Sequence, residues 1–193
     1  MKVIEFLGMP QAGKSTNIES LESHLKHERN CKVRKVVEGA RICPINKERR
    51  FYYNSWSFHR TINKLIEVTG GSAFDHVLVD RGPFDSKLFT KALSRNGSID
   101  SKVEEDSIQY MDNFQELIDL VVIFMVDPEV SISREKKYND IEGRVMNNEF
   151  LSILYEEYVS FCERYSNQEN FLAIDGEDPI EENHDLITEK VLS

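Results

Sequence analysis

The sequence predicts an α/β fold in three layers: a five-stranded parallel sheet with helices on both faces. Two observations carry that prediction. Short β-branched, apolar runs alternate with longer stretches of helical spacing, and a glycine-rich turn joins the first such run to the first helical stretch. The chain has 193 residues, which suits one domain over 1–193, and neither an internal repeat nor a Gly/Ser linker divides it.

The strands are expected at Lys2–Leu7, Val33–Val37, His76–Val79, Leu120–Val126 and Phe171–Ile174. Between them, Ile18, Leu21 and Leu25 keep helical spacing, as do Phe58, Ile62, Leu65 and Ile66, then Tyr110 or Met111 with Phe114 and Leu117. The run Phe150, Leu151, Leu154, Tyr155, Tyr158, Phe161, Cys162, Tyr165 is the clearest amphipathic helix. Gly70-Gly71 ends a helix. Asp127-Pro128-Glu129 and Asp178-Pro179, the latter with Glu181 three residues on, read as helix N-caps following strands. The polar stretches Arg95–Asp106 and Arg134–Asn148 are expected to be mobile surface segments. In a sheet wound this way ligands bind at the carboxyl ends of the strands, so the chemistry is sought there.

Composition limits the partners. A net charge of −10 disfavours binding to extended nucleic acid unless a local basic patch overrides it, yet leaves small anions open to a pocket of inverted sign. With 40% hydrophobic and 30% charged residues the chain can bury a real core. Its longest apolar run, Leu120–Val126, falls far short of the ~18 residues that span a bilayer, so no membrane span is expected. Met1 to Gly8 carries Glu5 among its apolar residues and reads as a strand, not as the core of a signal peptide. Three widely spaced cysteines, Cys31, Cys43 and Cys162, suggest neither a disulfide framework nor a zinc site, which points to a reducing cytoplasm.

After the first strand, Gly8-Met9-Pro10-Gln11-Ala12-Gly13-Lys14-Ser15-Thr16 fits G-x-x-x-x-G-K-[ST] throughout. Strand, loop and helix in this order aim backbone N–H groups at a phosphate; Lys14 adds a positive charge and Ser15 a ligand for Mg²⁺. The bland alternative is an ordinary glycine-rich turn. Asp80-Arg81 ends the third strand, where a carboxylate can hold magnesium and a guanidinium can fork onto a phosphate; a plain strand-end ion pair is the alternative. No N/T-K-x-D element for guanine is present.

In these features the chain resembles the thymidylate kinase and deoxynucleoside kinase group of P-loop phosphotransferases. The resemblance rests on Gly8–Thr16, on Asp80-Arg81, and on Val126-Asp127-Pro128-Glu129 leading into Arg134. It continues through the Phe150–Tyr165 helix, Ile174-Asp175-Gly176 and Pro179 to Glu182. It implies the P-loop kinase fold with a small lid segment at about 134–148, an ATP cofactor with Mg²⁺, and a small-molecule acceptor, with dimers frequent among relatives. It also implies roles: Glu38, at the end of the second strand, as the base facing a 5′-hydroxyl; Arg81 and Arg134 as charge stabilisers; Arg144 in the lid, with Lys137 a further basic residue there. Relatives carry proline after the glutamate, whereas this chain has Gly39. The stretch Phe51–Arg60 falls where relatives hold the nucleoside. There Tyr53, Trp56, His59 and Arg60 are candidate substrate contacts, Trp56 or Phe58 as a stacking platform and His59, Arg60 or Asn54 as readers of the base edge. The alternative is that these aromatics are core.

The function this implies is Mg²⁺-dependent transfer of the ATP γ-phosphate to a nucleoside or nucleoside monophosphate. Three other readings stay open: a kinase of another small hydroxyl compound, a 5′-hydroxyl polynucleotide kinase using Glu38 and Arg41, and a non-catalytic nucleotide-binding regulatory module. His24 and His27 lack partners for a metal site, and Glu177–Glu189 reads as a solvated helix face.

Overall fold

Five strands, β1 (Lys2–Gly8), β2 (Val33–Val36), β3 (His76–Asp80), β4 (Leu120–Met125) and β5 (Phe171–Asp175), pair in parallel in the order β2-β3-β1-β4-β5. The computed structural model describes residues 1–71, 73–138 and 148–193. All five strands fall within one or two residues of their expected positions. The central pair explains why: Val3–Leu7 of β1 and Leu120–Phe124 of β4 are buried on both faces, as parallel strands covered by helices must be.

Among the described residues, seven helices flank the sheet: α1 (Lys14–His27), α2 (Arg50–Thr69), α3 (Pro83–Arg95), α4 (Ser101–Asp112), α5 (Pro128–Tyr138), α6 (Asn148–Tyr165) and α7 (Ile180–Leu192). α1 and α7 pack on one another on one side; α3 lies between α2 and α6 on the other, with α4 outside it. α6 turns Phe150, Leu151, Leu154, Tyr158 and Phe161 inward, the stripe its spacing predicts.

Two local expectations are corrected. Arg95–Asp106 is largely ordered: α4 begins at Ser101 because Asp100 caps it, its Oδ1 accepting from the Val103 N–H at 2.9 Å. Asp127 does accept from the Glu129 N–H, at 2.8 Å. Asp178 does not cap α7, because Pro179 takes the cap position and no side chain caps it. Instead the Asn183 amide donates back to the carbonyls of Asp175 (2.9 Å) and Asp178 (3.4 Å). Among the described residues, no helix is long and apolar enough to cross a membrane.

Candidate active site

The loop between β1 and α1 is drawn against the sheet. Gly8 is in register with Phe124 of β4 at φ 126°, and a Cβ there would stand 2.1 Å from the Phe124 carbonyl oxygen, so only glycine fits. The Met9 N–H donates to that same oxygen at 3.0 Å. Gly13 caps α1 without any side-chain cap, and no acid stands in the helix's first turn, so no carboxylate there would oppose an anion at the N-terminal N–H groups. Ala12 is buried, Pro10 half-buried and Gln11 exposed, while Ser15 and Thr16 lie exposed on that first turn. The Lys14 ammonium is buried and donates to the Gly8 (2.9 Å) and Met9 (2.6 Å) carbonyls. Burial and the nearby Arg81 charge push its pKa down to about 7.

The loop's apex is tied to two other elements. Ser131 of α5 donates to the Pro10 carbonyl at 2.8 Å. Arg134, one turn later, donates to the carbonyls of Gln11 (3.2 Å) and Gly176 (2.9 Å), so the helix after β4 and the turn after β5 meet at the loop. Arg144 and residues 139–147 lie outside the described residues, as does the side chain of Arg41; Lys137 is exposed on α5.

At the end of β3 the backbone turns through Arg81 in the left-handed region, φ 62°, a conformation that costs a non-glycine residue about 1–2 kcal/mol. Two devices hold it. Glu5, fully buried on β1, accepts from the N–H groups of Gly82 (2.9 Å), Asp85 (2.9 Å) and Phe84 (3.2 Å), capping α3 from outside the helix. The Arg81 guanidinium meanwhile bridges two carboxylates: Nε is 3.3 Å from Oε2 of Glu38 and Nη1 is 2.7 Å from Oδ2 of Asp85. Asp85 also accepts from the Tyr158 hydroxyl of α6 at 2.7 Å and from the Gly8 N–H at 3.4 Å. Burial pulls the Arg81 pKa down, but Asp85 and Glu38 outweigh it and hold the group well above its ordinary value. Burial, with the charges of Asp80 and Asp85, raises the Glu38 carboxyl against the opposing pull of Arg81 and Lys14.

No family model matches the chain, and no curated protein matches it. Solved structures do. It superposes on deoxyadenosine kinase from M. mycoides with bound dATP at a TM-score of 0.73 and 22% identity, covering 100% of both chains. The same enzyme with the products dCMP and a flexible dCDP gives 0.72 at 19% identity, and with bound dCTP 0.70 at 22%, each over 98% of both chains. The fold is that of a P-loop kinase. At this identity the likeness fixes architecture; the chemistry must come from the side chains.

Next to Glu38, α2 packs against the 3₁₀ turn Gly39–Ile42. Gly39 leaves room for α2: a Cβ there would meet Cδ of Arg60 at 2.5 Å and Cζ3 of Trp56 at 3.0 Å. Arg60 lies over the Trp56 ring at 5.7 Å. Tyr53 is on the same face, its hydroxyl pushed up to about 12 by burial and by the Glu38 charge. Of the other aromatic-segment candidates, Asn54 and Phe58 turn inward, while His59 is exposed beside Trp56 and Arg60. Asn54 is buried, its amide donating to the Ser86 carbonyl (3.1 Å) and Thr90 Oγ1 (3.0 Å) of α3, and Phe58 is core. His59 contacts the Ser55 carbonyl at 2.7 Å and stacks on Tyr110 of α4. A cavity of about 330 Å³ runs along α2 by Trp56, His59, Arg60 and Lys64, and one of about 240 Å³ opens at the ends of β4 and β5 by Asp127, Tyr155, Asp175 and Glu177.

Asp80 ends β3, and its charge acts upward on the pKa values of both Lys14 and Glu38. Among the described residues no cluster of three or more His, Cys, Asp or Glu could cage a metal. Ser15, exposed on the first turn of α1, and Asp80, at the end of β3, are the residues expected to hold Mg²⁺. Sequence reasoning missed Glu5 as a bracket, and it missed Asp85 and Tyr158. Glu5 was visible as the single acid in an apolar strand; Asp85 and Tyr158 gave no comparable signal.

Proposed function

We propose that the protein is a phosphotransferase that moves the γ-phosphoryl group of ATP, with Mg²⁺, to the hydroxyl of a nucleoside or a similar small acceptor. It would act as one domain over 1–193 in the cytoplasm, with the segment 134–148 as its lid. The observation that carries the reading is the Glu38–Arg81 ion pair at the carboxyl end of the sheet, close enough to the phosphate loop for both charges to act on Lys14. A carboxylate with a raised pKa is a competent proton acceptor, and the guanidinium orients it. The neighbours of the same fold that hold dATP, dCTP or dCMP support nucleotides as the ligand class.

In this mechanism the α1 N-terminus and Lys14 bind the β- and γ-phosphates. Ser15 and Asp80 would hold the magnesium ion, which when bound neutralises charge on the transferring group. Glu38 orients the acceptor hydroxyl and takes its proton, Arg81 keeps Glu38 in place, and Arg134 faces the loop from α5. Tyr53, Trp56 and Arg60 form the wall against which the acceptor packs. The test is ADP release from Mg·ATP with a panel of nucleosides, deoxynucleosides and their monophosphates, Lys14→Ala serving as control. Acceptor-dependent release lost in the variant supports the reading; nucleotide binding with no stimulated release would replace it with a regulatory module.

A further inference from the structure

We propose that Ser131 and Arg134 of α5 are positioning residues for the phosphate loop: they hold Gln11 in a left-handed conformation, so that the Gln11 and Ala12 N–H groups face a bound phosphate. This rests on the reading of Gly8–Thr16 as a phosphate site and assigns the shaping of that site to a helix whose serine lies 121 residues further along the chain.

Gln11 stands at φ 56°, a conformation that a residue with a Cβ adopts only against a steric penalty. Its side chain is exposed, so burial does not hold it there. The peptides on either side of it are held instead. The Ser131 hydroxyl donates to the Pro10 carbonyl at 2.8 Å, and Nη1 of Arg134 donates to the Gln11 carbonyl at 3.2 Å while also reaching the Gly176 carbonyl at 2.9 Å. Among the described residues no backbone N–H donates to either loop carbonyl, so the two side chains are what fixes these peptides. Ser131 is 1% exposed. A helical serine commonly bonds the carbonyl one turn back on its own helix, whereas this one reaches across to the loop. In a planar trans peptide the C=O and the N–H point in opposite directions. Carbonyls pinned toward α5 therefore turn the Gln11 and Ala12 N–H groups away from it. A strained residue persists where its surroundings over-determine it, and two donors one turn apart on a single helix do that for Gln11.

The experiment measures the affinities of tripolyphosphate and of Mg·ATP by calorimetry for the wild-type protein, Ser131→Ala, Gln11→Gly and the double variant. Ser131→Ala is expected to weaken both ligands alike, by about 5–20-fold, the scale of one hydrogen bond lost at a partly buried carbonyl. Glycine takes the left-handed conformation without that penalty, so in the Gln11→Gly background the same serine substitution should cost no more than about twofold. A loss of equal size in both backgrounds overturns the proposal, because Ser131 would then serve packing and not the Gln11 conformation. So do unchanged affinities in Ser131→Ala, or weaker Mg·ATP with tripolyphosphate untouched. Should alanine at position 131 fail to fold, Ser131→Cys keeps the volume and a weak donor and is compared in the same two backgrounds. Arg134→Met should weaken both ligands further, since it frees the second peptide and removes a charge. None of these readouts needs turnover. A wild-type protein that binds tripolyphosphate but phosphorylates no acceptor ends the kinase reading and leaves the role of Ser131 to the variants; one that binds no polyphosphate overturns that role.

Discussion

A Cβ on Gly82 would stand 2.7 Å from Oε2 of Glu5, the carboxylate that takes the Gly82, Phe84 and Asp85 N–H groups. The bracket therefore needs glycine on one side and a carboxylate on the other. Gly82→Ala should cost roughly 1–3 kcal/mol of stability and loosen the Arg81 turn with it.

Burial pushes the Glu5 carboxyl up to about 8 from its ordinary 4.5, against the pull of its three amide donors. The folded state then binds more protons than the unfolded state between those values, so this group's contribution to stability falls as pH rises from about 4.5 to about 8. Denaturant melts at pH 5 and pH 8 should show the decline, and Glu5→Gln should flatten it. An identical slope in the variant would assign the decline to other groups.

Lys14 behaves in the opposite sense. Its pKa, held near 7 by burial and Arg81, should rise when a polyphosphate meets the ammonium, so nucleotide binding above pH 7 should take up close to one proton. Calorimetry at pH 8 in two buffers of different ionisation enthalpy measures that uptake. Lys14→Ala should abolish both the uptake and the turnover, whereas uptake that persists would locate the proton on another group.

What could be read from the sequence follows from how local each feature is. The phosphate loop is nine consecutive residues, and each strand is a short apolar run, so both are legible without knowing the fold. The cluster around Arg81 is not local. Glu5 meets donors 77 to 80 residues away, and Tyr158 meets Asp85 across 73. Tyr158 is indistinguishable by spacing from the core stripe of α6, because its ring does pack as core and only its hydroxyl has a second task. The aromatic stretch of α2 divides for the same reason. Helical spacing sends Asn54 and Phe58 inward and leaves Tyr53 near Glu38 and Trp56 and Arg60 against Gly39, a partition the sequence alone could not orient.

Glu38→Gln tests the chemistry most directly. The side chain keeps 32% of its surface, so it is reachable by an acceptor, while Arg81 fixes its orientation at 3.3 Å. Glutamine preserves that shape and can still accept from Arg81, but it cannot take a proton. Turnover with a hydroxyl acceptor should fall by about 10²–10⁴-fold with little change in the affinity for Mg·ATP, whose proposed contacts lie on the loop. In the wild-type protein the acid limb of kcat/KM should lie above the ordinary carboxylate range, because burial, Asp80 and Asp85 raise this group. Protonation then removes the base as pH falls through that raised value, and the limb should disappear in the variant's residual activity. A variant that keeps full turnover would show that the acceptor arrives already nucleophilic, as a phosphate does, and would transfer the weight of catalysis to Arg81 and Arg134.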